Sequence, residues 1–352
     1  MTIVPNICIY IFSFINFIKI GDVNNPSSKN GYGKVTYEYS ISETELTNEC
    51  YCFFLNSVAK TYDPYNLYNP IMGEYFWGGI VRKTDSNGNF VYYVKPGFEK
   101  YPAIGITWNS AIRFINWLNY NWENIKNKKD ITYYISETEG DDNHGAYNTQ
   151  KYLNSSLHIK RNKGARFYLP NKNEWIKACF YNGKEYITTN QNLQIANCYT
   201  EDGWKYPYPH LLSSEKGTVS HYGTINQNGN LGEWIEDPFG TDGRNWKQFL
   251  GGSLIRPKYS LDINYTEGDA PDKSIASVGI RIIQLTASTT KQTPPTISYT
   301  PKHNTRLSQQ QDEKWIKIGD IQNEGDLYNQ FIGNVNYEYE ISKYELTNEE
   351  YA

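Results

Sequence analysis

The chain has 352 residues, enough for one large domain or two ordinary ones at about 150 residues each. Its 34 Lys and Arg nearly balance 38 Asp and Glu, a net charge of −4, which excludes a strongly basic nucleic-acid binder at the level of whole-chain charge. Mean hydropathy is −0.68, yet aromatic residues reach 16%, more than a disordered chain would carry.

The first element is an apolar stretch, Ile7 to Ile18 (ICIYIFSFINFI). It is shorter than the roughly 20 residues that span a bilayer, so no membrane span is expected. No Lys or Arg precedes it and no A-x-A site follows. Residues 1–17 therefore read as an apolar leader or a weak signal segment, with a cytoplasmic location favoured over secretion. Val35 to Ile41 alternates and predicts a strand. Thr47 then predicts an N-cap, with Tyr51, Phe54, Leu55 and Val58 on one helical face. A second helix is expected over Thr107–Leu118, with Ala111, Phe114, Ile115 and Leu118 inward. Asn171 and Glu174 form the capping-box pattern of a third helix, which turns Ala178 and Cys179 to the core. Beyond residue 185 the segments are short and rich in Gly, Asn and Pro. The expected class is α+β, with few helices, much irregular backbone and many Tyr and Trp contacts. No phosphate-binding glycine loop is present.

Five cysteines, Cys8, Cys50, Cys52, Cys179 and Cys198, make no disulfide framework and no C-x-x-C zinc motif. Cys50 and Cys52 lie two apart on a predicted helix and point to different sides. Trp108, Trp175 and Trp234 read as core, and Trp77, Trp204 and Trp246 fall in predicted loops.

The chain also repeats itself. Residues 18–51 and 316–351 share IKIGD, a Y-E-Y-x-I-S strand and an E-L-T-N-E-x-Y run. Gly21 to Tyr51 spans 31 residues and Gly319 to Tyr351 spans 33, so the second copy differs by a longer loop. The expected organisation is one complete domain over 18–284, a Thr/Pro/Gln-rich flexible linker over 285–315, and an incomplete second copy of the domain start over 316–352.

Five segments then line up in order: YEYSISETELTNECYCFFLN (37–56), YPAIGITWNSAIRFINWL (101–118), RFYLPNKNEWIKACFY (166–181), YGTINQNGNLGEWIED (222–237) and FLGGSLIRP (249–257), closed by SVGIRII (277–283). In this order they resemble the formylglycine-generating enzyme, or sulfatase-modifying factor, family over nearly all of 18–284. The resemblance implies a compact fold of the C-type-lectin-like kind. It also implies copper on two cysteines just after the G-G-S turn, which oxidise a substrate cysteine with oxygen. Here Gly251-Gly252-Ser253 is followed by no cysteine at all, and a gapless match puts Arg256 and Leu261 at the two thiolate positions. A guanidinium and an aliphatic side chain cannot hold Cu(I), which wants soft thiolates. Ser253 matches the family's serine. A branch of the family that makes sulfur–carbon bonds uses iron held largely by His and Glu of a separate helical domain, and no His-rich helix here matches it, the five histidines being scattered in sequence.

Calcium is the metal the resemblance favours, because family members hold it structurally on Asn, acidic and carbonyl oxygens. The candidates are Asn230 and Glu233 in G-N-L-G-E-W, and Asn197 with Asp202. Three functions stay open. The first is a non-catalytic binding or interaction module, in tandem or oligomeric form, for a protein or small ligand; the sequence leans this way. The second is an oxygen-dependent oxidoreductase of the formylglycine-generating type. The third is a divergent enzyme whose Arg256 works with acids such as Asp262 or Glu267 on an anionic substrate.

Overall fold

The structure is a computed structural model that describes residues 15–126, 145–153, 158–187, 196–200, 203–204, 217–240, 244–285, 315–318 and 339–342. The chain divides into two units, 1–294 and 295–352.

The first unit is mixed α and β with short elements. One sheet orders β1 (Phe17–Ile20), β2 (Tyr39–Ser42), β12 (Ile283–Gln284) and β5 (Phe167–Tyr168). A second orders β10 (Glu267–Asp269), β9 (Lys247–Leu250), β8 (Gly232–Pro238) and β11 (Val278–Ile280). Small hairpins are made by β3 (Ile80–Thr84) with β4 (Phe90–Val94), and by β6 (Tyr199–Thr200) with β7 (Gly203–Trp204). The helices are α1 (Asn48–Val58), α2 (Ile71–Glu74), α3 (Trp108–Lys126), α4 (Thr149–Tyr152) and α5 (Lys172–Phe180). This is the α+β, largely irregular architecture expected from the sequence. Among the described residues no helix is long and apolar enough to cross a membrane.

Local chemistry sets the helix starts. Thr47 accepts from the Cys50 amide at the head of α1, and Tyr51, Phe54 and Leu55 turn inward as their spacing predicts. Asn171 and Glu174 close a reciprocal capping box on α5, and Ala178 and Cys179 are buried. Two boundaries differ. The alternating run from Val35 contributes a strand only from Tyr39, because pairing with β1 begins there. The second helix runs past Leu118 to Lys126, since nothing after Leu118 breaks it. Trp108, Trp175 and Trp234 are core residues. With strands this short, aromatic packing supplies the buried area: the Phe54 ring meets Phe114 at 5.2 Å and Trp117 at 5.1 Å. Cys50, Cys52, Cys179 and Cys198 are buried and form no disulfide with one another, and Cys8 lies outside the described residues.

Polar groups are buried with partners. Arg161 sits between two carboxylates, bonding Glu236 through Nε at 2.7 Å and Glu174 through both terminal nitrogens at 2.9 and 2.7 Å. Tyr37 donates to the same Glu174 at 2.7 Å and Tyr147 to Glu236 at 2.5 Å. Lys177 on α5 is buried and donates to the carbonyls of Gly21 at 2.6 Å and Asp22 at 3.0 Å. Burial lowers its ammonium from 10.5 to about 8. The unfolded chain therefore holds more protons than the folded one between those values, so this residue's contribution to stability rises as pH climbs from about 8 toward 10.5. We expect Lys177→Met to flatten that rise by roughly 1–2 kcal/mol in urea unfolding at pH 7.5 and pH 9.5. Parallel wild-type and variant curves would sink the assignment.

The second unit contains the antiparallel hairpin β13 (Trp315–Ile318) and β14 (Tyr339–Ser342). Its register, Trp315↔Ser342 through Ile318↔Tyr339, matches Phe17↔Ser42 through Ile20↔Tyr39 pair for pair.

Candidate binding groove

A groove of about 770 Å³ opens where the turn after α2, the segment following β9, β10 and the approach to β11 meet. That is the size of a small-molecule or side-chain site. Ser253, Arg256, Phe76, Trp77, Glu267 and Lys273 are among the residues that line it. The wall containing Ser253 is fixed by the Gly251-Gly252 turn. Both glycines have positive φ, and a Cβ on Gly251 would stand 2.9 Å from the Gln227 carbonyl while one on Gly252 would stand 2.5 Å from Ser260 Oγ. The turn continues into a 3₁₀ segment, Lys258–Leu261.

Arg256 is half-exposed, and its guanidinium grips Glu267 with two nitrogens. Nε donates to Oε2 at 3.1 Å and a terminal nitrogen pairs with Oε1. This fork-on-fork pair uses the face an incoming anion would need. Asp262, the other acid named beside Arg256, instead accepts from the Asn264 amide in its own loop at 2.9 Å. Leu261 is fully buried and packs with Ala196 and Cys198. A cysteine thus packs beside Leu261, from a segment far away in sequence, as a single buried thiol. Ser253 lies in the groove wall, 3% exposed.

The calcium candidates lie elsewhere, in a buried polar network. Asn197 Nδ2 donates to Asn230 Oδ1 at 3.0 Å, and Asn230 Nδ2 donates to Glu45 Oε1 at 2.8 Å. Glu233 receives Arg281 on both oxygens at 2.9 to 3.1 Å, and the Trp175 indole at 2.7 Å. Asp202 lies outside the described residues. Burial raises the Glu45 and Glu233 carboxyls, with the single Arg281 guanidinium opposing the rise in both. Glu45 Oε2 is buried and has no hydrogen-bond partner. Among the described residues no three His, Cys, Asp or Glu side chains converge as a metal-ligand group; Asn and carbonyl oxygens, which calcium also uses, fall outside that count.

Arg281 is the residue the sequence reading left unassigned. It sits in the two-residue link between β11 and β12, so it joins the two sheets. Besides Glu233 it bonds the carbonyls of Ser42 at 2.7 Å, Glu43 at 2.6 Å and Ile225 at 2.8 Å. Its signal was the charged residue inside the apolar S-V-G-I-R-I-I run. Glu45 also had one: its E-L-T-N-E run recurs in the sequence with Glu345 at the same place.

The sulfatase-modifying factor enzyme 1-like domain (FGE-sulfatase) matches residues 22–286, three-quarters of the chain. The chain belongs to this family. Among solved structures it is similar to Treponema denticola variable protein 1, at 17% identity over 77% of this chain and 95% of that one, with a TM-score of 0.49. It is similar to CarF at 15% identity, over 77% and 98%, with a TM-score of 0.46. It is also similar to PvdO from Pseudomonas aeruginosa at 14%, over 77% and 91%, with a TM-score of 0.37. No curated protein matches the chain significantly.

As a member of the sulfatase-modifying factor family, this chain is measured against copper by its donor set. A guanidinium committed to Glu267 and a buried leucine offer copper no ligand, and among the described residues Cys198 is the single thiol packed beside Leu261, where the resemblance implies two. The residues do not fit a paired-thiolate copper site.

Proposed function

We propose that this domain is a binding member of the sulfatase-modifying factor family, working through the groove beside Arg256 rather than by copper-dependent cysteine oxidation. The observation that carries the reading is the fate of the two thiolate positions: Arg256 is locked on Glu267 and Leu261 is packed into the core. The test is anaerobic titration of the whole chain with Cu(I), followed by oxygen and a cysteine-containing peptide. We expect no stoichiometric copper and no peptide oxidation. One copper per chain with oxygen-dependent loss of the peptide thiol would overturn the reading and restore the oxidoreductase.

Structural calcium belongs to the same proposal. Asn230, Glu233 and Asn197, with Asp202, are the side chains that would supply oxygen, and the unpartnered Glu45 Oε2 supports the reading as a buried oxygen with room for a cation. Calcium retained after dialysis, and a melting temperature lowered by chelator, are the expected results; identical melting with and without chelator would remove it.

We also read 316–352 as the start of a second copy. The support is the matching hairpin register together with Tyr337, Tyr339 and Glu345, counterparts of Tyr37, Tyr39 and Glu45, whose side chains in the first copy are buried in hydrogen-bonded sites. Two such domains in series would raise avidity for a repetitive ligand.

A further inference from the structure

The lining of the groove has two chemically different parts. In one, the Arg256 guanidinium and Glu267 cancel each other. The other is three rings in succession. Tyr75 and Phe76 are nearly parallel, 14° apart with centroids 6.4 Å apart, and Trp77 stands steeply to both, at 4.7 Å and 70° from Tyr75 and at 4.2 Å and 78° from Phe76. Trp77 is buried and fixed by its indole N–H, which donates to the Ala276 carbonyl at 2.7 Å. Tyr75 and Phe76 are 42% and 48% exposed, among the most exposed large hydrophobic residues of the domain. Rigid backing with two exposed rings is costly to leave in water, and adjoining aromatic surface of this kind marks a ligand contact.

Charge then selects the ligand. Glu74, directly before the rings, and Asp269 on β10 line the same groove, and neither forms an ion pair among the described residues. Lys273 is the cation that remains once Arg256 is matched with Glu267. The balance is one excess negative charge, on a wall whose apolar part is aromatic. Ring faces carry negative potential and attract cations. A primary ammonium is strongly hydrated and gives up its water reluctantly, whereas an alkylated ammonium is weakly hydrated and offers methyl groups to the rings.

We propose that the aromatic part of the groove lining, Tyr75, Phe76 and Trp77, together with Glu74 and Asp269 of the same groove, is a binding site for a quaternary or highly alkylated ammonium group. The proposal rests on the binding reading above and names the ligand class for the same groove. The group's source is either a free small molecule or an alkylated lysine side chain.

The test is calorimetric titration of the full chain with four probes: choline, its neutral isostere 3,3-dimethylbutanol, an acetylated trimethyl-lysine amide, and inorganic phosphate. Saturable binding of choline or of the lysine amide is expected, with the neutral isostere weaker by about tenfold or more. Whichever of the two binds tighter identifies the source. Phe76→Ala and Glu74→Gln are each expected to weaken the cation about tenfold. Both positions are on the groove rim, and circular dichroism confirms that each variant folds. Tyr62→Ala, at a ring 70% exposed and outside the groove, is expected to change nothing. Equal binding of the neutral isostere, tighter binding of phosphate, or no saturable binding of either cation would overturn the assignment. Failure here with no copper uptake sinks only the ligand class; stoichiometric copper with peptide oxidation sinks the binding reading itself.

Discussion

Replacing Arg281 by methionine is expected to cost about 3–5 kcal/mol, a large part of the roughly 5–15 kcal/mol that holds a domain folded. The guanidinium is fully buried, and all three of its nitrogens are used. Removing it strands the Glu233 carboxylate in a fully buried site, and strips donors from the carbonyls of Ser42, Glu43 and Ile225. Those carbonyls belong to the end of β2 and to the segment that leads into β8. The link between the two sheets therefore fails together with the ion pair. Lysine keeps a charge but not the fork, so Arg281→Lys should lose nearly as much. Glu233→Gln in the Arg281→Met background removes the stranded charge and should recover part of the loss, which a double-mutant cycle in urea measures. A loss below about 1 kcal/mol for Arg281→Met would show that the network is not what joins the sheets.

Much of the scaffold was legible because its signals are local. Thr47 at the head of α1, and Asn171 with Glu174 at the head of α5, announce themselves within four residues, and the structure places all three as caps. The inward faces of the long helices follow from spacing alone. The groove was not legible for the opposite reason. Its walls come from the turn after α2, the strand pair β9–β10 and the approach to β11, with some 200 residues between the first and the last. Trp77 looked like any loop aromatic; its role depends on Ala276, whose carbonyl accepts its indole N–H. The Asn230, Glu233 and Asn197 group was found as residues but not as a network, because Glu45 and Arg281 complete it from the two ends of the domain. Likewise Leu261 could be placed at a thiolate position by alignment, yet its contact with Cys198 is set by tertiary packing.

The second large effect is at Arg161, and it should depend on pH. This guanidinium lies between Glu174 and Glu236, while Tyr37 and Tyr147 donate hydroxyls to the same carboxylates. Burial raises the Glu236 carboxyl from 4.5 to about 7, and the charge of Arg161 is the largest influence opposing that rise. A carboxyl raised in the folded state contributes stability that is fully present below its unfolded value and is lost as pH climbs through the folded one. In the wild type that window lies between about 4.5 and 7 for Glu236. Arg161→Met removes the opposing charge, so the Glu236 carboxyl rises further and the window extends to higher pH. The variant is expected to lose about 3–5 kcal/mol at pH 8, where two buried carboxylates must either face each other charged or take up a proton from dilute supply. At pH 5 the proton is available to Glu236, and the loss should shrink to about half. Urea unfolding of wild type and variant at the two pH values measures this directly. An equal loss at pH 5 and pH 8 would mean that Arg161 acts through its packing over Tyr168, 4.5 Å from the ring centroid, rather than through charge.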